Sequence, residues 1–376
     1  MVLTNLKIVT LKKVIENGYI EIQNKKISKI GSMPYDGIDT NIIDESGKIA
    51  FPGFIDIHTH GSCGIDFMDA DTEGIKKIAN AFYTEGTTSF LATTLTSDNK
   101  SLKRVCRTVY KAKKEVPSLL GIHFEGPYIN VKYKGAQNEA YIREPNIDEF
   151  NELVKLSHGN VRLITMAPEY ANSVEFIKNA KSRGVTVSAG HSDATFSDIE
   201  KAIEAGLTNT THTHNAMSAH HHRNPGIVTA SMYFDALYTE LICDLIHVSS
   251  DTLKTFYKIV GENRFMIVTD ALLGKHSDLD TFKLFGLDCI KKNGAAYLTS
   301  GPLAGSLLTM DQGIRNVYNT TNCSLIAISK ISSYNQAKSL GLKDRGELKK
   351  GKIADIVLMD ENLYIKDVYK LGEKVF

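Results

Sequence analysis

Short apolar segments alternate with longer amphipathic segments through most of the chain. Amphipathic periodicity predicts helices over residues 72–85, 101–116, 173–183, 197–205 and 252–260, and again over 307–318 after an irregular stretch. The short segments predict eight strands, at residues 54–58, 87–92, 119–124, 161–166, 185–189, 208–212, 241–245 and 265–269. Such alternation is typical of a parallel sheet with crossover helices, and eight repeats suggest closure into a (β/α)8 barrel of the TIM type.

The two ends of the chain follow a different pattern. Residues 19–31 alternate apolar and polar positions around a turn, and residues 353–358 form another apolar strand after two glycines. A meander of this size buries too little surface to be stable alone. We therefore expect both ends to form one small β-sandwich domain, from residues 1–50 and 345–376, beside a catalytic barrel at 51–344.

Metal-ligand residue types recur where the predicted strands end. His58 and His60 follow the first strand, and because residues i and i+2 of a strand share a face, their imidazoles should converge. In such barrels the active site lies at the carboxyl ends of the strands. The other ends carry, in chain order, His123, Glu125, His191, His212, His214, His247 and Asp270. Each residue alone would be an ordinary polar group at the barrel mouth, but the set predicts a metal site.

The chemistry of these residues predicts a hydrolase. Glu125, His191 and His212 would bind one divalent metal ion and leave positions for water and substrate. His58 and His60, together with Asp270, could hold a second metal ion or contact the substrate. A bound metal makes water nucleophilic near neutral pH, and Asp270 could take the proton of that water and return it to the leaving group.

Composition excludes some classes of function. A formal net charge of +1 over 376 residues gives no strong field for nucleic acid or a membrane surface. No apolar run approaches the ~20 residues that span a bilayer, and the N-terminus lacks a signal-peptide pattern. The five cysteines are scattered, without Cys-x-x-Cys. These features predict a cytoplasmic enzyme with reduced thiols and with neither a nucleic-acid nor a membrane partner.

An ordered set of motifs carries a family resemblance. The chain contains PGFIDIHTHG, GIHFEGPY, AGHSDAT, THTHNAM, HHRNPG, VTDA, LAGSLLTM and GKIADIVLMD. This set resembles the N-acetylglucosamine-6-phosphate deacetylases of the amidohydrolase superfamily over nearly the whole chain. The resemblance implies a metal-dependent hydrolase that cleaves the acetamide of the sugar phosphate to glucosamine 6-phosphate and acetate, in amino-sugar catabolism and cell-wall sugar recycling.

The resemblance also implies roles for individual residues. The metal ligands would be His58, His60, Glu125, His191 and His212, with Asp270 as acid/base and further ligand. The substrate would contact Gln137, Asn215, Ala216, Arg223 and His247, and His123 and His222 would support these groups. Arg223 would reach the site of the neighbouring subunit, which implies a homodimer. A lysine ligand on the fourth strand is disfavoured, because residues 163–166 contain none.

Several alternatives stay open. One or two metal ions could bind, with Zn²⁺ as the first choice and Fe²⁺ or Mn²⁺ as alternatives, because sites of His and carboxylate accept each of them. His214, Leu245 and Gln137 depart from common family residues and bear on sugar preference. The substrate could be the galactosamine epimer or another amide. A catalytically silent relative that binds sugar phosphate is disfavoured by the intact set of metal-ligand types and Asp270.

Overall fold

The predicted barrel is present in the computed structural model, which describes residues 1–284 and 286–376. Eight parallel strands follow one another around the barrel in chain order, each hydrogen-bonded to the next. We number them one to eight; their bounds are Phe54–Asp56, Thr87–Thr94, Leu119–Glu125, Val161–Met166, Thr186–Ala189, Asn209–Thr210, Tyr238–Ile242 and Phe265–Val268. The predicted (β/α)8 architecture is confirmed.

Strands one and eight meet at their carboxyl ends and nearly close the barrel. The backbone N–H of Asp270 donates to the carbonyl of His58 at 2.8 Å, and the N–H of His60 donates to the carbonyl of Ala271 at 2.8 Å. This closure therefore brings Asp270 beside the two histidines that follow strand one.

In the described part of the chain, a helix follows each barrel strand and covers the barrel from outside. Asp71 caps the first helix by accepting from the backbone N–H of Gly74, and Phe82 of that helix packs edge-to-face on Phe90 of strand two at 5.1 Å. The helices are Thr72–Tyr83, Asn99–Ala112, Ile147–Leu156, Ser173–Ser182, Phe196–Ala205, Ile227–Tyr233, Ser250–Val260 and Met310–Thr321. Further helical segments are Val131–Tyr133, Glu139–Tyr141, Leu325–Ser329, Lys330–Tyr334 and Asn335–Ser339.

Strand seven lies three residues earlier than the apolar pattern indicates, at Tyr238–Ile242 instead of 241–245. Two polar residues, Thr239 and Glu240, are fully buried in it. Leu245 has a φ of +65° and cannot continue a strand. The prediction from apolar residues misplaced this strand, because the central residue of the strand, Glu240, is a buried carboxylate.

The irregular stretch after Asp270 contains a small antiparallel sheet. Its strands are Thr281–Leu284, Leu287–Lys292, Ala295–Leu298 and Leu303–Ser306, paired in chain order. A two-stranded hairpin, Gly61–Ser62 with Ile65–Asp66, follows strand one. Ser306 donates its backbone N–H to the carbonyl of Asp270 at 3.0 Å, so the inserted sheet is anchored at the barrel mouth.

Both chain ends form the predicted β-rich domain, as one connected sheet. Ile356–Met359 from the C-terminal part pairs antiparallel with Ile49–Pro52 from the N-terminal part. The other strands are Val2–Val9, Val14–Gln23, Lys26–Ser32, Ile42–Asp44, Ile365–Lys370 and Glu373–Lys374. The domain limits at 50/51 and 344/345 stay a prediction, although this sheet continues to Pro52.

Among the described helices, none combines the length and the apolar character needed to cross a membrane.

Candidate active site

Two overlapping groups of ligand types lie at the barrel mouth. The first, which we call the His191 group, consists of Glu125, His191 and His212, all buried. Glu125 Oε1 lies 3.2 Å from His191 Nε2 and 3.1 Å from His212 Nε2, and the two Nε2 atoms are 3.0 Å apart. Two imidazole nitrogens and one carboxylate oxygen that converge in this way suit a divalent transition metal.

The second, which we call the His58 group, consists of His58, His60 and Glu125. His58 Nε2 lies 3.2 Å from Glu125 Oε1, and His60 Nε2 lies 3.4 Å from Glu125 Oε2. Asp270 Oδ1 is 3.3 Å from His58 Nε2 and 3.1 Å from His60 Nε2. Glu125 thus belongs to both groups, and Asp270 adjoins the second.

These donors fit a metal ion on two observations. His58 Nε2 is fully buried and makes no hydrogen bond of good geometry to the described residues. In each group the ligand atoms all lie within 4.8 Å of one another. A buried, unpartnered imidazole nitrogen that faces two carboxylates is costly unless a cation or a proton occupies the space between them.

Hydrogen bonds from behind orient the ligands. His191 Nδ1 lies 2.7 Å from the carbonyl of Tyr133, and His58 Nδ1 lies 3.1 Å from Glu240 Oε2. Gln137 donates from Nε2 to Glu125 Oε2 at 2.5 Å. Such contacts fix the tautomer and ring orientation of metal-binding histidines, here with Nε2 of both rings toward the cavity.

The electrostatics of the two groups are tightly linked. Burial would raise the pKa of Glu125, but the charges of His58 and His191 and hydrogen bonds from His191 and His212 hold it well below its ordinary value. Burial would likewise raise the pKa of Asp270, but His58 and His60 hold it far below the usual range. Both carboxyls are therefore ionised at neutral pH and ready to bind a cation.

A cavity of about 290 Å³ opens onto these residues, close to the lower end of the roughly 300–1,000 Å³ typical of small-molecule sites. Asp270, which adjoins the His58 group, is more accessible than the carboxylate inside the group: its side chain is 13% exposed, whereas that of Glu125 is 3% exposed. The predicted residues that line the cavity are His60, Glu125, Gln137, His191, His212, Asn215, Ala216, His247 and Asp270. The barrel therefore brings together residues that are far apart in sequence.

Two residues that line the cavity present polar groups that a ligand could contact. Asn215 Nδ2 is buried without a hydrogen-bond partner among the described residues. His247 Nδ1 lies 2.6 Å from Asp244 Oδ2. Burial lowers the pKa of His247, but the bond to Asp244 outweighs it, so that this pKa lies above its usual value. Asn215 can donate to a bound ligand, and the carboxylate of Asp244 favours the protonated form of His247.

Some predicted residues lie away from the cavity. His222 and Arg223 are exposed in the loop of residues 219–225 and do not belong to the described cavity lining. His58 lies behind the lining, and so does His123, which contacts Thr93 Oγ1 at 3.2 Å and Thr165 Oγ1 at 2.8 Å. His214 faces a separate hollow, with its ring 4.8 Å from that of Phe256. His58 still faces Glu125 and Asp270 from behind the lining. The other four side chains can act only through other groups or through another chain.

Sequence reasoning missed several residues at the site. Lys132, Tyr133 and the segment 303–305 line the cavity, and Glu240 contacts His58 from behind. One feature of the sequence points to Glu240: it is an acidic residue directly before the apolar residues Leu241 and Ile242. Lys132 and Tyr133 lie in the helical segment Val131–Tyr133, and three residues are too few for periodicity to indicate the direction of a side chain.

Comparisons with known proteins agree with this geometry. The sequence profile of the amidohydrolase family matches residues 49–375. An N-acetylglucosamine-6-phosphate deacetylase from Lysinibacillus sphaericus is 36% identical over 376 residues, which cover 99% of this chain and 97% of the relative. The crystal structure of N-acetylglucosamine-6-phosphate deacetylase from Thermotoga maritima has a TM-score of 0.92 and 35% identity, and the match covers 100% of this chain and 99% of that one. A mutant of the Mycobacterium smegmatis deacetylase in complex with N-acetyl-D-glucosamine-6-phosphate has a TM-score of 0.94 and 27% identity, with 100% and 99% covered.

The match to the family profile spans most of the chain, and the similarity to the relatives spans nearly all of it. The ligand types at the barrel mouth are those of a metal-dependent hydrolase. The chain therefore belongs to the amidohydrolase family and, within it, to the group of the N-acetylglucosamine-6-phosphate deacetylases.

Proposed function

We propose that this chain hydrolyses the acetamide of N-acetylglucosamine 6-phosphate, giving glucosamine 6-phosphate and acetate, in amino-sugar catabolism and cell-wall sugar recycling. One observation carries the proposal. Asp270 Oδ1, which faces the cavity, lies within 3.3 Å of two histidine nitrogens that share Glu125 with the His191 group. This contact supports Asp270 as an ionised acceptor beside the His58 group, which shares Glu125 with the other candidate metal position.

The residues divide the chemistry between them. A bound divalent metal polarises the amide carbonyl and makes water more acidic. Asp270 takes a proton from the attacking water and later delivers it to the nitrogen of the leaving amine. The C–N bond breaks, and the oxygen of the water remains in acetate. The buried histidines hold the carboxylates in place and exclude bulk water from behind the site.

The cavity lining suits a polar sugar. Asn215 would donate to a substrate oxygen, because its Nδ2 is buried and unpartnered among the described residues. His247 would contact the sugar or its phosphate with an imidazole whose pKa is raised by Asp244 after the opposing effect of burial. Backbone groups at Ala216, which has a φ of +48°, would help hold the phosphate.

Two metal ions per chain are proposed, with Zn²⁺ as the first choice. The donors comprise imidazole nitrogens and carboxylate oxygens, which also accept Fe²⁺ and Mn²⁺. Shared use of Glu125 by both groups favours two ions over one. Metal analysis after mild purification tests this point, and one equivalent or fewer would contradict it.

A homodimer is proposed to complete the site. Arg223 lies in the exposed loop 219–225, where its planar guanidinium is free to bind phosphate on a neighbouring chain. Mixed dimers of Arg223→Ala and Asp270→Asn chains should recover activity, because one site of each mixed dimer keeps its own Asp270 and borrows Arg223. If subunits exchange but no activity returns, the shared site is wrong.

A cytoplasmic location is proposed. All five cysteines are free thiols in the described structure, and four of them are buried, as is usual for proteins of a reducing compartment. Fractionation of the source cells, with activity followed in each fraction, tests this point. Recovery of the activity outside the cytoplasm would contradict the proposal.

Acetate release tests the function directly. The metal-loaded protein is assayed with N-acetylglucosamine 6-phosphate, with the galactosamine epimer and with unphosphorylated N-acetylglucosamine. We expect the highest kcat/KM with the first and a large loss without the phosphate. Faster turnover of the epimer would reassign the sugar, and acetate release from none of the three would favour a silent binding protein.

A further inference from the structure

Glu240 is a fully buried carboxylate in the middle of strand seven. Its Oε2 lies 3.1 Å from His58 Nδ1 and 3.4 Å from the backbone nitrogen of His212, while its Oε1 has no hydrogen-bond partner among the described residues. A buried carboxylate with half of its acceptor capacity unused costs folding free energy. Stability of the barrel therefore does not explain why strand seven carries this residue.

The contact with His58 gives Glu240 a specific effect. A carboxylate accepts hydrogen bonds and does not donate, so His58 must carry its proton on Nδ1 to satisfy Glu240. That tautomer leaves the lone pair of Nε2 toward Glu125 and Asp270, which lie 3.2 and 3.3 Å away. The other tautomer would place a proton on Nε2, where a metal ion has to bind.

We propose that Glu240 is a positioning residue that fixes His58 in its metal-binding tautomer and thereby sets the affinity of the His58 group for its metal ion. The inference rests on the proposed two-metal function and goes beyond it by assigning a role to a residue outside the ligand set. Glu240 does not face the cavity, because the described lining does not include it. It acts through the imidazole of His58.

The effect should be selective between the two metal positions. In the His191 group, His191 is oriented by the carbonyl of Tyr133, and His212 meets Glu240 only through its backbone nitrogen at 3.4 Å. The carbonyl of Glu240 accepts from Thr213 N–H at 2.7 Å, and this bond survives any side-chain substitution. Loss of the carboxylate should therefore weaken the His58 group and spare most of the His191 group.

The experiment is a Zn²⁺ titration of metal-free protein against a competing chelator, which needs no substrate. Wild type is compared with Glu240→Gln, Glu240→Leu and His60→Asn; the step that is weakened most in His60→Asn identifies the His58 group. Both Glu240 variants should weaken that step, by about 10- to 100-fold for Leu and by less for Gln, whose amide oxygen can still accept. The other step should change by less than about threefold, because His212 keeps its imidazole and loses only a long backbone contact to the carboxylate, at 3.4 Å.

Two controls separate positioning from damage to the fold. Glu85→Gln alters another buried carboxylate, which pairs with Lys275 instead of a ligand, and should leave both metal affinities unchanged. Glu240→Leu added to His58→Asn should weaken the His58-group step by no more than about twofold further, because both changes act on one side chain. If Glu240→Leu does not fold, Glu240→Gln, which keeps the shape of the side chain, decides alone.

The outcomes distinguish this inference from the proposed function. Unchanged affinities, equal weakening of both steps, or full additivity with His58→Asn would overturn the role of Glu240. Selective weakening in a protein that releases no acetate would support the role and refute the function. A wild-type protein that binds fewer than two equivalents would overturn the inference, while an acetate assay still decides the function.

Discussion

Gln137 offers the sharpest test of how the site is held together. Its Nε2 donates to Glu125 Oε2 at 2.5 Å, and its Oε1 accepts from the backbone N–H of Thr96 at 2.7 Å. The side chain is buried, with 6% exposed. The resemblance assigns Gln137 to substrate binding, whereas these contacts indicate that Gln137 orients Glu125, the carboxylate that both metal groups share. Gln137→Leu separates the two roles because it keeps the size of the side chain and removes both polar groups.

The cost of Gln137→Leu follows from the two lost bonds. A hydrogen bond to a charged carboxylate contributes about 1.5–3 kcal/mol, and a buried N–H left without an acceptor costs about 1–3 kcal/mol. Better burial of the apolar side chain offsets about 1 kcal/mol of this loss. We therefore expect the free energy of unfolding to fall by about 1.5–5 kcal/mol. Because Glu125 loses an orienting donor, we also expect metal affinity to fall by about 10- to 100-fold.

Thermal and urea unfolding of the metal-free protein measures the first quantity, and chelator competition measures the second. Gln312→Leu is the matched control, because Gln312 makes an exposed side-chain hydrogen bond to Asn316 and should change neither quantity. If Gln137→Leu keeps the stability and metal content of the wild type but has a raised KM, then Gln137 does not orient Glu125 and instead binds the substrate.

Two further predictions concern protons. Asp270→Asn should lower kcat by roughly 10²–10⁴-fold while the variant still binds the sugar phosphate in equilibrium dialysis; near wild-type turnover would remove Asp270 from the mechanism. Burial alone would lower the pKa of His60, but Asp270 and Glu125 raise it to about 9 in the metal-free protein. Metal binding below that pH must therefore displace a proton from His60, so affinity should rise with pH up to about 9. Calorimetry in two buffers of different ionisation enthalpy counts the protons released, and release of none would contradict this.

Much of the fold could be predicted because it depends on periodicity. All eight barrel strands were found, most of them as short apolar runs, although strand six is the polar pair Asn209–Thr210 and strand seven was placed three residues too late. The helix Ile147–Leu156 was missed because a long irregular connection separates it from strand three. The helix Ile227–Tyr233 was missed because seven residues give few repeats of a 3.6-residue period. The inserted sheet at 281–306 was missed because its strands are only four to six residues long, and the second of them is largely exposed.

The ligand set could be predicted for a different reason. In a barrel, strand ends converge at one rim whatever lies between them in sequence, so His58, Glu125 and Asp270 had to be neighbours. The backbone also requires glycine directly after Glu125. Gly126 has a φ of +78°, and a Cβ at this position would lie 2.2 Å from Thr96 Oγ1. Supporting residues such as Glu240 and Tyr133 could not be predicted, because their contacts depend on side-chain direction inside the barrel.

Backbone conformation explains why ligand positions could be predicted but ligand geometry could not. His191, His212 and Asp270 have φ values of +49°, +28° and +48°, a region that costs a non-glycine residue about 1–3 kcal/mol. Neighbouring amides hold each of them there: their carbonyls accept from Asn130, Asn215 and Ser306 at 2.8, 2.9 and 3.0 Å.

Local sequence preference would place glycine or asparagine at such positions, so the surrounding loops must impose these conformations on the ligands. Two of the strained residues, His191 and His212, contact the shared carboxylate of Glu125, and the third, Asp270, contacts the histidines of the His58 group. Their orientation therefore depends on contacts made by residues outside the ligand set. For this reason, substitutions of Gln137 and Glu240 should lower the affinity for metal ions although every ligand is still present.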